Sequence, residues 1–128
     1  MLFRSVWQHL YAESRTESVE KVWVLCLDYK NKLIRCEVIS SGTATGSLVH
    51  PREVFRPAIR NGATGVVLAH NHPSGDPSPS ASDLRVTRKI SEAAGFMDIE
   101  LLDHVILGEP STCPKGLGYY SFSDNGLI

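Results

Sequence analysis

Two imidazoles stand two residues apart at His70 and His72, and a hydroxyl and a carboxylate stand three residues apart at Ser80 and Asp83. Between the pairs runs the turn-rich stretch Pro73-Ser74-Gly75-Asp76-Pro77-Ser78-Pro79. Two neutral imidazoles and one carboxylate are donors suited to a borderline divalent ion such as zinc. A site with only three protein ligands keeps a fourth position for water or substrate, which distinguishes catalytic from structural zinc. Plainer uses exist for the same residues. Ser80 and Asp83 have the spacing of an N-terminal capping box, and a histidine pair at a strand end is often an ordinary surface or core feature. Capping alone, however, leaves the two preceding histidines and the long Pro/Gly/Ser loop without a purpose.

The elements that must position these groups can be read on either side. Gly65-Val66-Val67-Leu68-Ala69 is a short apolar run after Asn61-Gly62, the pattern of a buried strand. If that strand reaches Asn71, His70 and His72 project from the same face of its C-terminal end and Asn71 turns away. Pro73 then ends regular pairing. A helix is expected from about Ser82, with Asp83 in its first turn and Gly95 as the residue that stops it. Asp83 can therefore face the strand end that carries the histidines.

Extended over the chain, His70-x-His72, seven residues, Ser80, two residues and Asp83 resembles the JAMM motif of the MPN/JAB metalloprotease superfamily. Three segments narrow the resemblance to the RadC branch: Val49-His50-Pro51-Arg52-Glu53-Val54-Phe55, the run from Leu68 to Pro77, and Leu102-Asp103-His104-Val105-Ile106-Leu107-Gly108. The similarity runs from about Val19 to the C-terminus. It implies that His70, His72 and Asp83 hold zinc with a water as fourth ligand, whose pKa the ion lowers toward about 7. It also implies that Ser80 hydrogen-bonds the tetrahedral intermediate or the water. An upstream glutamate at a strand start is implied as the proton carrier. Glu20, directly before Val22-Trp23-Val24-Leu25-Cys26-Leu27, is the choice, with Glu37 and Glu53 as alternatives; a charged residue at a strand mouth also has a purely structural use. RadC proteins usually carry an additional N-terminal helical region of helix-hairpin-helix character. Nothing here resembles it, so the resemblance implies one domain over residues 1–128, the C-terminal catalytic part of a longer protein, with residues 1–18 as a helical extension. The implied fold is the MPN fold, an α/β (α+β) mixed sheet flanked by helices, related in architecture to the cytidine deaminases.

Composition fits one domain of 128 residues with a real core. No apolar stretch is long enough to span a bilayer and the N-terminus lacks a signal-peptide pattern. Three cysteines without close pairing argue against a disulfide framework, and a cytoplasmic, reduced setting is expected. Cys26 and Cys36 fall within expected strands and read as small core residues. Further elements are a helix around Ser5–Glu13, strands at about Lys21–Asp28 and Lys32–Ile39 joined by a turn at Tyr29-Lys30-Asn31, and a loop over Ser40–Ser47 that can border the site. A helix from Pro51 to about Arg60 carries Pro57 inside it, which deletes one backbone bond and should bend it. Strands at Ile99–Leu107 and near Tyr119–Phe122 complete the sheet. His104 alternates with Glu100, Leu102 and Ile106 and is read as a structural residue or a partner to a ligand rather than a ligand itself. His50 reads as a capping neighbour.

The resemblance implies a polypeptide substrate. The rival is a nucleic-acid-binding or processing module linked to DNA repair, as the RadC label implies. Arg52, Arg56 and Arg60 recur at helical spacing, and Arg85, Arg88 and Lys89 form a second cluster. Yet the net charge is −1 and the pI about 6.5, which provides no global attraction for phosphate. A base deaminase is disfavoured because the His-x-Glu and Pro-Cys-x-x-Cys elements are missing. A metal-free scaffold is disfavoured because every ligand is kept.

Overall fold

Side chains alternate across β1 (Glu20–Leu27), and that alternation divides the molecule into two packed layers around one sheet. Val22, Val24 and Cys26 enter one core, while Trp23, Leu25 and Leu27 enter the other. The structure, a computed structural model, describes residues 2–16, 19–42 and 49–128. The order of elements is α1 (Leu2–Thr16), β1, β2 (Leu33–Gly42), α2 (Pro51–Arg60), β3 (Gly65–Asn71), α3 (Ala81–Met97), β4 (Glu100–Leu107) and β5 (Tyr119–Ser121).

The five strands lie in the order β2-β1-β3-β4-β5. β3 and β4 are parallel and joined by α3, as a parallel pair requires a crossover; the other neighbours are antiparallel. Every residue of β3 is buried, because helices cover both faces at the centre of the sheet. On one face Val54, Phe55 and Ala58 of α2 and Ile90 and Ala94 of α3 pack against Val22, Val24, Val66 and Leu68. On the other, Val6 and Leu10 of α1 pack with Trp23, Val67, Ala69 and Val105. The Trp23 indole donates to Glu13 at 2.8 Å, tying α1 to the sheet.

Local chemistry accounts for the joints. Asp28 Oδ1 accepts from the backbone N–H groups of Lys30 and Lys32 at 2.8 and 2.9 Å, which closes the β1–β2 turn around a left-handed Asn31. β2 continues to Gly42, beyond the end expected at Ile39; the rest of the Ser40–Ser47 stretch, 43–47, lies outside the described residues. His50 occupies the N-cap of α2 in an extended conformation without a side-chain cap bond. The helix runs from Pro51 to Arg60 with Pro57 buried inside it. Among the described residues, no helix is long and apolar enough to cross a membrane, and the three cysteines are free.

Two expectations need correction. Gly95 does not stop α3: the helix runs on through Met97, and Asp98 takes the left-handed position at φ 53° with its N–H on the Ala94 carbonyl. Aspartate tolerates that region better than most residues, so glycine is not required there. The strict alternation expected in β4 also fails. Val66 pairs with Leu101 and Val67 with Asp103, so Leu102 is bulged out of register. Leu102 packs on the α1 face, whereas His104 reaches His70 and Thr87 on the α3 face.

Candidate metal centre

Four titratable side chains meet where β1 begins and β3 ends. Val22 pairs with His70 across the antiparallel β1–β3 ladder, so Glu20, two residues earlier on the same face, comes to the end of β3. β3 ends at Asn71, but the His72 N–H continues the ladder with one bond to the Leu107 carbonyl at 2.9 Å. His70 and His72 thus leave the strand end together. α3 starts beside them and presents Asp83 from its first turn. Glu20, His70, His72 and Asp83 place one donor atom each within 4.8 Å of one another.

The spacing fits an ion. Donors about 2.0–2.1 Å from a tetrahedral metal lie about 3.3 Å apart. His70 Nε2 and His72 Nε2 are 3.1 Å apart, and Asp83 stands 3.3 Å from each through Oδ1 and Oδ2 respectively. Glu20 Oε1 is farther, 3.9 Å from His70 Nε2, at the edge of the cluster rather than within this tight triangle. Exposure divides the group differently, setting His72 with Glu20 on the open side. The His70 and Asp83 side chains are 5 % and 6 % exposed, whereas those of Glu20 and His72 keep 28 % and 19 % of their surface. Inward of the cluster, Val22, Val49, Leu68 and Val86 form the apolar walls of a narrow cleft. Charges there interact through a low dielectric.

Asp83 serves as a cap and faces the imidazoles at once. Its Oδ2 accepts from Ser80 N at 2.9 Å, and its own N–H donates to Ser80 Oγ at 3.1 Å, a full capping box. A carboxylate has about four lone-pair sites, so one N–H leaves room for the two imidazoles. The two uses that compete in the sequence therefore coexist. Burial would raise the Asp83 pKa, but His70 and His72, with the Ser80 N–H, hold it far below the usual carboxylate range. Burial pulls His72 downward, yet Asp83, the Asp76 carbonyl and Glu20 outweigh it and leave His72 raised. His72 Nδ1 lies 2.9 Å from that Asp76 carbonyl, which accepts its proton and frees Nε2 for the cluster. The loop bearing Asp76 is docked against the end of β4: Glu109 N donates to the Gly75 carbonyl at 2.7 Å, and a Cβ at Gly108 would collide with that carbonyl.

His104 is not in the four-residue cluster but adjoins it. Its Nε2 is 2.7 Å from His70 Nδ1, its Nδ1 contacts the Thr87 hydroxyl, and its ring stacks on Phe122 at 4.5 Å. Burial above all, then the neighbouring His70, holds its pKa well below 6.5, so it is neutral. Glu37 and Glu53 are elsewhere. Glu37 is held by Arg60 at 2.5 Å and Asn61 at 2.9 Å, and Glu53 lies between Arg52 and Arg56 at 3.5 and 3.6 Å. Those pairs also engage the arginine row that the nucleic-acid reading invokes.

Asn71, Thr87 and the Asp76 carbonyl are not singled out by the sequence. Asn71 is 1 % exposed and faces away from the histidines. Its amide oxygen accepts from Lys21 N at 2.6 Å and its NH2 donates to the Val19 carbonyl at 3.1 Å. One side chain thereby grips the backbone on both sides of Glu20. The strand alternation that turns Asn71 away is the only signal, and its partners lie some fifty residues upstream.

A family model described as the RadC-like JAB domain matches residues 3–127. A UPF0758 protein of Symbiobacterium thermophilum is 46 % identical over 125 residues, covering 98 % of this chain and 50 % of the relative. One from Methanosarcina barkeri is 42 % identical over 125 residues, with 98 % and 52 % covered. One from Rubrobacter xylanophilus is 51 % identical over 105 residues, with 82 % and 43 % covered. The chain spans about half the length of the curated relatives it matches. With a five-stranded mixed sheet flanked by helices and a family match over nearly its whole length, this chain belongs to the RadC-like JAB domain family.

Proposed function

We propose that this domain is a zinc-dependent hydrolase that cleaves an amide bond, peptide or isopeptide, in a polypeptide substrate. The observation that carries the reading is the convergence of His70 Nε2 and His72 Nε2, 3.1 Å apart, with Asp83, whose Oδ1 and Oδ2 lie 3.3 Å from one ring each, and with a fourth, more exposed carboxylate beside them. In this reading His70, His72 and Asp83 hold the ion. Zinc, when bound, supplies Lewis acidity and a water of lowered pKa. Glu20 takes up a proton and returns it to the leaving amine, a role suited to a partly exposed carboxylate whose backbone is fixed on both sides. Ser80 accepts the Asp83 N–H through a lone pair, so its O–H proton remains to stabilise the oxyanion that forms at the scissile carbonyl. Three free thiols fit a cytoplasmic setting; burial pushes Cys36 up to about 11, which makes it a packing residue rather than a nucleophile.

The test separates binding from turnover. Glu20→Gln is expected to keep wild-type zinc content while losing hydrolysis of a peptide or isopeptide panel by about 10²–10⁴-fold. Undiminished hydrolysis by Glu20→Gln would place the proton carrier elsewhere. A zinc-loaded wild type inert to every amide in the panel would count against amide hydrolysis by this domain.

A further inference from the structure

Coordination through His70 Nε2 requires that this ring carry its proton on Nδ1, because a nitrogen that bears hydrogen has no lone pair to donate. Position alone does not secure this. What surrounds Nδ1 does. His104 Nε2 lies 2.7 Å away, inside the fold. His104 Nδ1 contacts Thr87 Oγ1, and the Thr87 hydroxyl donates to the main-chain carbonyl of Asp83 at 2.9 Å.

Counting protons along this line gives one arrangement. A hydroxyl has a single hydrogen. With that hydrogen on the Asp83 carbonyl, Thr87 Oγ1 can only accept from His104, which fixes the His104 proton on Nδ1. Buried at 1 % exposure between His70 and Thr87, His104 carries a single ring proton, so its Nε2 is bare and accepts from His70 Nδ1–H. The remaining nitrogen of His70, Nε2, is left bare and faces His72 and Asp83. Turning the Thr87 hydroxyl toward His104 would reverse the line and put a hydrogen on His70 Nε2, where the ion must bond. It would also deprive the Asp83 carbonyl of its hydroxyl donor.

We propose that Thr87 and His104 are positioning residues that lock His70 in the Nδ1–H tautomer needed to bind the metal. This rests on the metal reading above and adds the device that readies one ligand. The device starts from the main chain of Asp83, another of the ligands, so helix start and strand end are coupled by protons as well as by the ion. Partners of this kind typically change metal affinity by about 10–100-fold when removed.

Nitrogen-resolved NMR of the histidine rings and competition titration with zinc alone test the proposal on wild type, Thr87→Val and Thr87→Ser. Valine keeps the shape of threonine and removes the hydroxyl; serine keeps the hydroxyl. Wild type is expected to show both His70 and His104 protonated on Nδ1, with and without zinc. Thr87→Val should show His104 moving toward the Nε2–H form and zinc binding about 10–100-fold weaker, with Thr87→Ser restoring both. A metal-free wild type with the His104 proton on Nε2 would overturn the relay, as would a folded Thr87→Val with wild-type tautomers and affinity; either result leaves the zinc site standing. Wild type that binds no zinc would overturn the metal reading and the relay's purpose together. If Thr87→Val does not fold, the wild-type and Thr87→Ser spectra decide the matter.

Discussion

Two aspartates are buried to nearly the same degree, Asp83 at 4 % and Asp103 at 2 % exposure, yet their surroundings differ in kind. Asp103 is closed by neutral donors: the Ser121 hydroxyl at 2.5 Å, Ser123 N at 2.9 Å and His104 N at 2.7 Å. Burial raises its pKa, and these three bonds only moderate the rise. Asp83 receives one backbone N–H and faces two imidazole nitrogens that themselves face each other. Burial works on both carboxylates. What separates them is whether the lone pairs are answered by fixed neutral N–H and O–H groups or face imidazoles, which donate to the carboxylate when protonated and present bare nitrogens beside it when not. Asp103 thus fastens the turn after β5, whereas Asp83 belongs to a set of donors that could hold a metal ion.

The contrast is open to experiment. Asp83→Asn keeps an oxygen for the Ser80 N–H, so the cap survives and the protein should fold, but zinc affinity should fall by more than about 100-fold, beyond the range for partners outside the ligand set. Competition titration with a zinc chelator reads this. Asp103→Ala should do the reverse, costing about 3 kcal/mol or more in urea unfolding by orphaning three donors while zinc affinity changes little. Equal losses of zinc in both variants would erase the distinction.

Acid separates them more finely. The folded pKa of Asp83 is depressed, so its stabilisation is complete above the unfolded value near 3.8 and is lost as pH falls below 3.8 through the folded value. The folded pKa of Asp103 is raised, so its ionisation costs stability at neutral pH, and that cost is relieved as pH falls through the raised value toward 3.8. In the metal-free protein, Asp83→Asn should flatten the decline of the urea midpoint below about pH 3.8. Asp103→Asn should remove a gain just above it. Identical pH profiles for the two variants would contradict the opposed shifts.

Much of this site can be read from the chain because its key distances are local. The i, i+2 spacing of His70 and His72 on an apolar strand needs only the pleat, and the three-residue step from Ser80 to Asp83 needs only a helix start. Glu20 is legible as the residue that opens β1, though bringing it to β3 rather than to another strand is a matter of sheet order, which spacing does not encode. Thr87 stands four residues after Asp83, the distance at which a helical hydroxyl reaches back to a carbonyl, yet nothing in the sequence ties it to His104. The bulge at Leu102 reverses the alternation by which His104 would otherwise be placed, and no glycine or proline marks it. Gly95 misleads because the last turn of α3 is set by Asp98 in the left-handed region.

Anomalous diffraction at the zinc edge from crystals of the zinc-loaded protein addresses the central claim most directly. One peak within bonding distance of His70 Nε2, His72 Nε2 and an Asp83 oxygen, with Glu20 alongside but not bonded, is the expected result. A zinc peak at another group of residues, or none at these three side chains in crystals that carry zinc, would contradict it.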